Sequence, residues 1–468
     1  MNRPQLVVHG HFYQPLRLDP FSGELPADPT AAPAHDWNER ISADCYRPNA
    51  ELGNLGAISW DLGPTLAGWL HWADPVAHGG FVAGDRGTNG MAQPFHHTIL
   101  PLASAADRRT EIRWGLRDFL VRFGRPATGM WLPETAVDLA TLRLLADEGV
   151  THTILAPWQV TGHDIDTRRP VRVELGDGRT MAVALYDGGL SAAVSFDPHA
   201  TTDADRFIRT SLRPRFVDDP LPDGERPVVL IATDGELYGH HRPLREHFLR
   251  RLVGSTAPPP EERGYDVIPL ATAMFARNED TARIGVLRDR TSWSCHHGIS
   301  RWGAHCDCVD DGHWKAPLRS ALDRLAGAVD ALTERIAREI GAPDPWTARD
   351  DYVDVVIGLD TATAFAARRL GSADDARIAR FAALMEAQRW RLAMYASCGW
   401  FWDDPVRPET AGVLRAATRA ARLMDGLAGA GLERRLAADL ALAIGPGGHT
   451  GEAIRRAALV AIGQAGRD

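Results

Sequence analysis

The sequence predicts an α/β fold, a parallel sheet either closed as a barrel or left open, followed by an α-helical domain. Three observations carry that prediction. Over roughly the first 290 residues, short β-branched runs alternate with segments of helical periodicity, the pattern of repeated βα units. The most strand-like run, Pro227 to Thr233, is apolar throughout, as parallel strands covered on both faces are. Beyond about residue 313, Leu, Ala and Val recur at three-to-four spacing with Arg and Asp between them.

The elements follow in order. Gln5 to Phe12 reads as a buried strand that ends in polar residues. Glu111 to Phe123 places Ile112, Leu116, Phe119, Leu120 and Phe123 on one helical face and stops at Gly124. Gly129 to Leu132 is a short strand, Ala136 to Glu148 a helix closed by Gly149, and Thr153 to Ala156 the next strand. Pro227 opens its strand at the first residue, where a missing N–H is tolerated. Pro243 to Arg251 reads as a helix. The pattern breaks near Thr256–Glu262 and again near Arg288–His313. Helices are then expected over Ala321–Ile340, Asp350–Leu370, Asp374–Ser397 and Thr410–Ala428, with a shorter one after Gly445-Pro446-Gly447-Gly448.

Composition narrows the function. The 468 residues are 44% hydrophobic and 24% charged, enough for a large core. A net charge of −9 does not suit a nucleic-acid protein, whose binding face is basic. Of 52 basic residues only Lys315 is a lysine, so no Gly-Lys phosphate loop exists and Schiff-base chemistry has a single, poorly placed amine. The start of the sequence shows no charged segment leading into an apolar one, and no run of about 18 apolar residues occurs. A cytoplasmic protein without membrane or nucleic-acid partners is expected. Five cysteines, an odd number in a long chain, argue against a disulfide scaffold.

In α/β barrels functional groups gather where strands end, and three polar constellations fall at such places. His9-Gly10-His11-Phe12-Tyr13-Gln14 closes the first strand, with His9 and His11 on one side of it. Satisfaction of both rings by nearby carbonyls is the plainer alternative. In Trp131-Leu132-Pro133-Glu134 a carboxylate follows an apolar strand directly; a helix-dipole role in the next turn would also account for it. Asp234-Gly235-Glu236-Leu237-Tyr238-Gly239-His240-His241 emerges from the most strand-like segment, and its glycines permit close backbone approach. A helix N-cap accounts for Asp234 alone. Two carboxylates on separate strand ends, flanked by histidines and aromatics, match what glycoside hydrolysis needs, a nucleophile and an acid that later serves as base.

These strings resemble, in order, successive motifs of glycoside hydrolase family 57: His9-Gly10-His11 with Gln14-Pro15, Trp131 to Glu134, and Asp234 to His240. Gln93-Pro94-Phe95-His96-His97 leading to Leu100-Pro101 is similar to the remaining motif of the catalytic domain. The resemblance spans about residues 1–300. His35 to Arg40, Gly63 to Leu66 and Trp293 to Gly298 are similar to an uncharacterised branch whose helical C-terminal region has no assigned function. It implies an incomplete seven-stranded (β/α) barrel over residues 1–290 and a helical domain over 291–468 packing on the barrel mouth. It implies a retaining mechanism on α-glucans, by hydrolysis or transglycosylation, with no metal and no cofactor. By motif, Glu134 is the expected nucleophile and Asp234 the acid/base, its pKa raised by burial or by Glu134. His11 and His97 are expected on sugar hydroxyls, with His9, Gln14 and Trp131 beside them and Glu236 and His240 behind. Trp293 and, in the strip Gly399 to Asp404, Trp400 and Trp402 are expected as aromatic surface for sugar rings; a helix end packing on the barrel is the alternative for that strip.

Two rivals compete with this reading. His-x-His after a first strand is also the entry to metal-dependent barrel hydrolases and deacetylases, and His240, His241, His296 and His297 are at hand to complete such a site. A glucan-binding protein without activity is the other. Separately, Cys295-His296-His297, His305-Cys306-Asp307-Cys308 and His313 concentrate ligand-type residues whose spacing fits no standard zinc ribbon. They are either a structural zinc site or buried thiols beside polar groups.

Overall fold

A computed structural model describes residues 3–163, 165–216, 221, 225–275, 283–342 and 344–465. The chain forms two compact units, one from residues 1–14, 27–94 and 119–294, the other from 15–26, 95–118 and 295–468. No helix among the described residues is long and apolar enough to cross a membrane.

The first unit is built on strands β1 (Gln5–Phe12), β2 (Ser59–Leu62), β3 (Gly90–Met91), β4 (His152–Leu155), β5 (Val160–Thr161), β6 (Val171–Glu174), β7 (Thr180–Leu185), β8 (Val228–Asp234), β9 (Asp266–Val267) and β10 (Arg283–Leu287). β1 is buried along its whole length. It runs parallel to β8 from Gln5 to His11, and its other edge is shared by β9 near Gln5 and β2 from His9 onward. β2 pairs parallel with β3. Ala92, just past β3, bridges to Met130, and Gly129 bridges to His152 of β4, which pairs parallel with β7. Between β7 and β8 the ladder reduces to the Asp187 N–H donated to the Leu230 carbonyl at 2.7 Å. Seven parallel segments (β1, β2, β3, the 129–130 stretch, β4, β7 and β8) thus make a barrel that is nearly unpaired at one seam. β6 and β10 extend the β7 edge, with β6 antiparallel to β7, and β5 pairs antiparallel with β10.

The barrel is filled, not hollow. Alternation sends Val7 of β1, Ile154 of β4, Ala184 of β7, and Val228, Leu230 and Ala232 of β8 inward, where they meet Met91, Trp131 and Tyr186 in one buried cluster. Each Val, Leu, Ile or Met side chain among them contributes about 1.5–3 kcal/mol on leaving water. The inward series of β1 continues from Val7 to His9 and His11, and that of β8 from Ala232 to Asp234. The core pattern therefore aims those polar side chains at the strands' C-terminal mouth. Helix boundaries follow local chemistry. The helix Ala105–Phe123 ends at Gly124 with φ +68°, and Leu139–Asp147 starts from an Asp138 cap on the Thr141 N–H and ends near Gly149 with φ +85°.

The second unit is helical. Lys315–Glu339 buries Leu318, Leu322, Leu325, Val329 and Ile336, and Asp375–Ala393 and Pro408–Ala428 supply apolar stripes of the same kind. The single helix expected over Asp350–Leu370 is instead three, Pro345–Asp351, Val353–Val356 and Ala362–Leu370. Gly358 takes φ +81°, and the Thr361 side chain caps the third helix at the Ala364 N–H. Leu432–Leu440 and Gly451–Ala465 complete the unit.

Candidate active site

β1 and β8 are neighbours, and the register sets His11 directly beside Asp234. His11 Nδ1 donates to Asp61 Oδ2 at 2.8 Å and His9 Nε2 to Asp61 Oδ1 at 2.7 Å, so one carboxylate on the adjacent β2 orients both rings. The Gln93 amide also donates to Asp61 Oδ2. Both rings stack on Trp131, His9 at 5.1 Å and His11 at 5.0 Å between centroids, and Trp293 meets Trp131 edge-on at 5.0 Å. Burial alone would strip the charge from His11, but Asp61, and less strongly Asp234 and Glu236, raise its pKa to about 9. His11 is therefore an imidazolium at neutral pH. Burial would likewise raise Asp61; the His11 charge and hydrogen bond outweigh it and hold the carboxyl below the usual range.

Glu134 follows the 129–130 bridge through a tight turn over Pro133–Thr135, closed by the Thr135 N–H on the Leu132 carbonyl and the Ala136 N–H on the Pro133 carbonyl, in which Glu134 and Thr135 sit at φ +57° and +46°. Two successive left-handed, non-glycine residues are costly and typical of positions where function fixes the backbone. Glu134 as a residue is partly buried. The Ser294 hydroxyl and the Trp293 indole N–H both donate to its Oε2, at 2.7 and 3.2 Å, and the Trp293 backbone N–H donates to the Glu134 carbonyl at 3.0 Å. Oε1 remains as the oxygen that can act as nucleophile. Burial raises the Glu134 pKa, the Ser294 hydrogen bond opposes this, and the negative charge of Asp234 adds to the rise. Asp234 thus acts electrostatically on Glu134, on His11 and on Glu236 at once.

One part of the sequence expectation needs correction here. Asp234 is not buried but exposed at the end of β8, because the strand's inner face opens at its mouth. Of the two acids in this string the deeply buried one is Glu236, at 5% exposure. Burial lifts its pKa to about 7 even though the Tyr46 hydroxyl donates to it at 2.6 Å. Gln14 hydrogen-bonds the same Tyr46 phenol. Gly235 and Gly239 do provide the close approaches expected of them. A Cβ on Gly235 would lie 2.2 Å from the Phe12 ring, and one on Gly239, at φ +146°, would lie 2.3 Å from the Asp44 carbonyl oxygen.

His9 and Trp131, expected beside the sugar, have no exposed surface. They act on His11 by stacking and by sharing Asp61, not by offering a face to ligand. His240 turns toward Asp44, with Nδ1 to Oδ2 at 3.0 Å, and the Trp37 ring; it is His241 that feels the Asp234 charge. His97 belongs to the second unit, where it is 2% exposed at φ +57° and bonded through Nδ1 to the Ser397 hydroxyl at 2.7 Å. In that unit Trp400 is buried against Tyr395, while Trp402 is half-exposed under Arg407. Trp400 is therefore packing, while Trp402 is exposed and Phe401 partly so.

Asp61, Tyr46 and Ser294 are the residues that sequence reasoning did not single out. Asp61 had a signal, an acid between Trp60 and Leu62 just ahead of Gly63-Pro64. The metal-hydrolase alternative finds no support in the arrangement. His9 and His11 each commit a nitrogen to Asp61, and His240 is turned to Asp44 instead of joining them. Among the described residues the metal-type ligands that converge are Cys295, His297, Cys306 and Cys308, in the second unit.

Residues 90–257 match the family model described as glycosyl hydrolase family 57, and residues 311–453 match a domain of unknown function, DUF3536. No curated protein matches the sequence. Among solved structures, an exo-type maltose-forming amylase from Pyrococcus sp. ST04 superposes with TM-score 0.71 at 16% identity, covering 98% of this chain and 88% of that one. A family 57-type branching enzyme from Pyrococcus horikoshii gives 0.60 at 15%, covering 94% of each chain. An α-amylase from Thermotoga maritima gives 0.58 at 13%, covering 97% and 99%. At such identities the likeness is one of fold.

Proposed function

We propose that this chain, which belongs to glycosyl hydrolase family 57 through residues 90–257, is a retaining glycosidase or transglycosylase acting on α-glucans. The structural neighbours described as amylases and a branching enzyme support the substrate class. The observation that carries the reading is the placement of His11 between two acids, in register with Asp234 on one side and stacked on Trp131, three residues before Glu134, on the other.

In the proposed reaction Glu134 Oε1 attacks the anomeric carbon while Asp234 protonates the departing oxygen. The Ser294 and Trp293 donors and the His11 charge oppose the rise in the Glu134 pKa that burial causes. The acid role requires Asp234 to hold a proton when the sugar covers the mouth. Asp234 delivers its proton as the Glu134 ester forms, and its carboxylate then takes a proton from water or an acceptor hydroxyl, whose oxygen attacks the anomeric carbon and displaces Glu134 as a carboxylate. His11, Gln14, Trp293 and Glu236 are the proposed contacts around the cleaved bond, and His240 supports the Asp234 loop. A cytoplasmic location remains part of the proposal.

The test separates the two carboxylates. Glu134→Gln should lose about 10³-fold or more in kcat on maltooligosaccharides of every length. Asp234→Asn should lose a comparable factor on natural glucans but far less on aryl α-glucosides, whose leaving groups need no proton. Equal losses for Asp234→Asn on both substrate types would contradict the acid role.

A further inference from the structure

We propose that the second unit holds a structural zinc ion on Cys295, His297, Cys306 and Cys308. The four donor atoms lie within 4.8 Å of one another. The three sulfurs form a triangle, with Cys295 to Cys306 at 3.4 Å, Cys295 to Cys308 at 3.6 Å and Cys306 to Cys308 at 3.2 Å. His297 Nδ1 stands 3.3 Å from Cys306 Sγ and 3.9 Å from Cys295 Sγ.

Those edges are what a tetrahedral ion requires. With Zn–S near 2.3 Å and Zn–N near 2.0–2.1 Å, sulfurs lie about 3.8 Å apart and sulfur and nitrogen about 3.6 Å apart. The three sulfur–sulfur edges are shorter than this by about 0.2–0.6 Å, and the two sulfur–nitrogen distances fall on either side of theirs. They are far from the roughly 2.05 Å of a disulfide, and a triangle of three thiols cannot be resolved by pairing. None of the cysteines is disulfide-bonded. Three thiols also gain little from meeting one another, since S–H is a weak donor and sulfur a weak acceptor. A soft divalent cation that converts them to thiolates supplies the missing attraction.

The backbone is shaped for the same purpose. Gly298, at φ +91°, returns its N–H to the Cys295 carbonyl at 3.0 Å, closing a turn that presents Cys295 and His297 together. The Val309 N–H donates to the Cys306 carbonyl at 3.1 Å, and this second turn presents Cys306 and Cys308. The neighbouring histidines are used otherwise, since His305 Nδ1 accepts from the Gly312 N–H and its ring stacks on His313. Between the two turns the chain forms only the short 3₁₀ helix Ser300–Trp302. Four protein ligands leave no open position, so the ion is structural, stapling a segment poor in regular structure ahead of the helix Lys315–Glu339. The site owes nothing to the glycosidase reading and stands or falls apart from it.

Metal analysis of the untagged full-length protein tests this directly. We expect about one zinc per chain. After stripping and anaerobic reconstitution with cobalt(II), we expect thiolate-to-cobalt charge-transfer bands and intense red d–d bands of a tetrahedral centre. Cys306→Ser/Cys308→Ser should fall below about a tenth of that metal content, while Cys45→Ser, Cys398→Ser and Glu134→Gln keep it. Should the double variant not fold, thiol titration of the native wild type settles the matter, with three more thiols reacting after chelation. Reduced protein that takes up neither ion, a Cys306–Cys308 disulfide in place of metal, or full metal content in the double variant would overturn the proposal.

Discussion

His11 carries its charge at neutral pH because Asp61, buried beneath it, has no better partner than the two imidazoles it orients. That pair has a defined pH signature. His11 is raised from 6.5 to about 9, so its contribution to stability is complete below 6.5 and disappears as pH climbs through 9. Asp61 is lowered from 3.8, so its contribution is present above that value and disappears as acid protonates it. Asp61→Asn removes both slopes and leaves His11 buried without its counter-charge. Unfolding midpoints followed against pH should show wild type losing stability between about pH 6.5 and 9 while the variant, lower at neutral pH, stays flat there. A parallel pair of curves would mean the pair is not charged in the folded protein. Ser294 supports a second prediction. Its hydrogen bond to Glu134 opposes the burial-driven rise in pKa, so Ser294→Ala should move the acidic limb of kcat/KM to higher pH and cost about tenfold at neutral pH. An unmoved limb would remove Ser294 from the electrostatics of the nucleophile.

At the scale of elements, the site depends on two strand ends and the turns that follow them. β8 passes into Gly235, whose missing side chain admits the Phe12 ring. Gly235→Ala forces a Cβ into that ring, and the strand end must move with Asp234 on it. We expect a loss of about 2–3 kcal/mol in stability together with a kcat deficit that a stabilising buffer does not restore; normal turnover in a merely destabilised variant would show that the Phe12 contact does not position Asp234. β1 and β8 were legible in the sequence because an unbroken apolar run that ends abruptly in polar residues suits a covered parallel strand and little else. Glu134 was legible from its string, but not its left-handed backbone, which no local propensity favours. Asp61 was obscured because β2 is only four residues long and half of them are polar, too short and mixed a stretch to read as a covered strand. His9 and Trp131 were misread for a related reason: composition shows that aromatics and imidazoles gather, but only packing decides which of them face solvent. The helix broken at Gly358 failed on the same ground, since an apolar stripe persists through a turn that one glycine and one capping threonine impose.

At the scale of the molecule, a barrel that is almost unpaired between β7 and β8 still closes its interior with one cluster of side chains. That cluster aims His11 and Asp234 the same way, and the Asp234 charge reaches Glu134 across the mouth. Catalysis as proposed requires those two acids to work on one bond, with Glu134 forming the covalent link. Incubation with a fluorinated α-maltosyl fluoride, whose glycosyl-enzyme ester turns over slowly, followed by peptide mass mapping, probes that link itself. We expect a single added maltosyl group on the peptide containing Glu134, absent in Glu134→Gln and displaced by an acceptor sugar. A label on any other carboxylate, or turnover that yields the inverted anomer with no labelled peptide, would contradict the assignment of Glu134 as nucleophile.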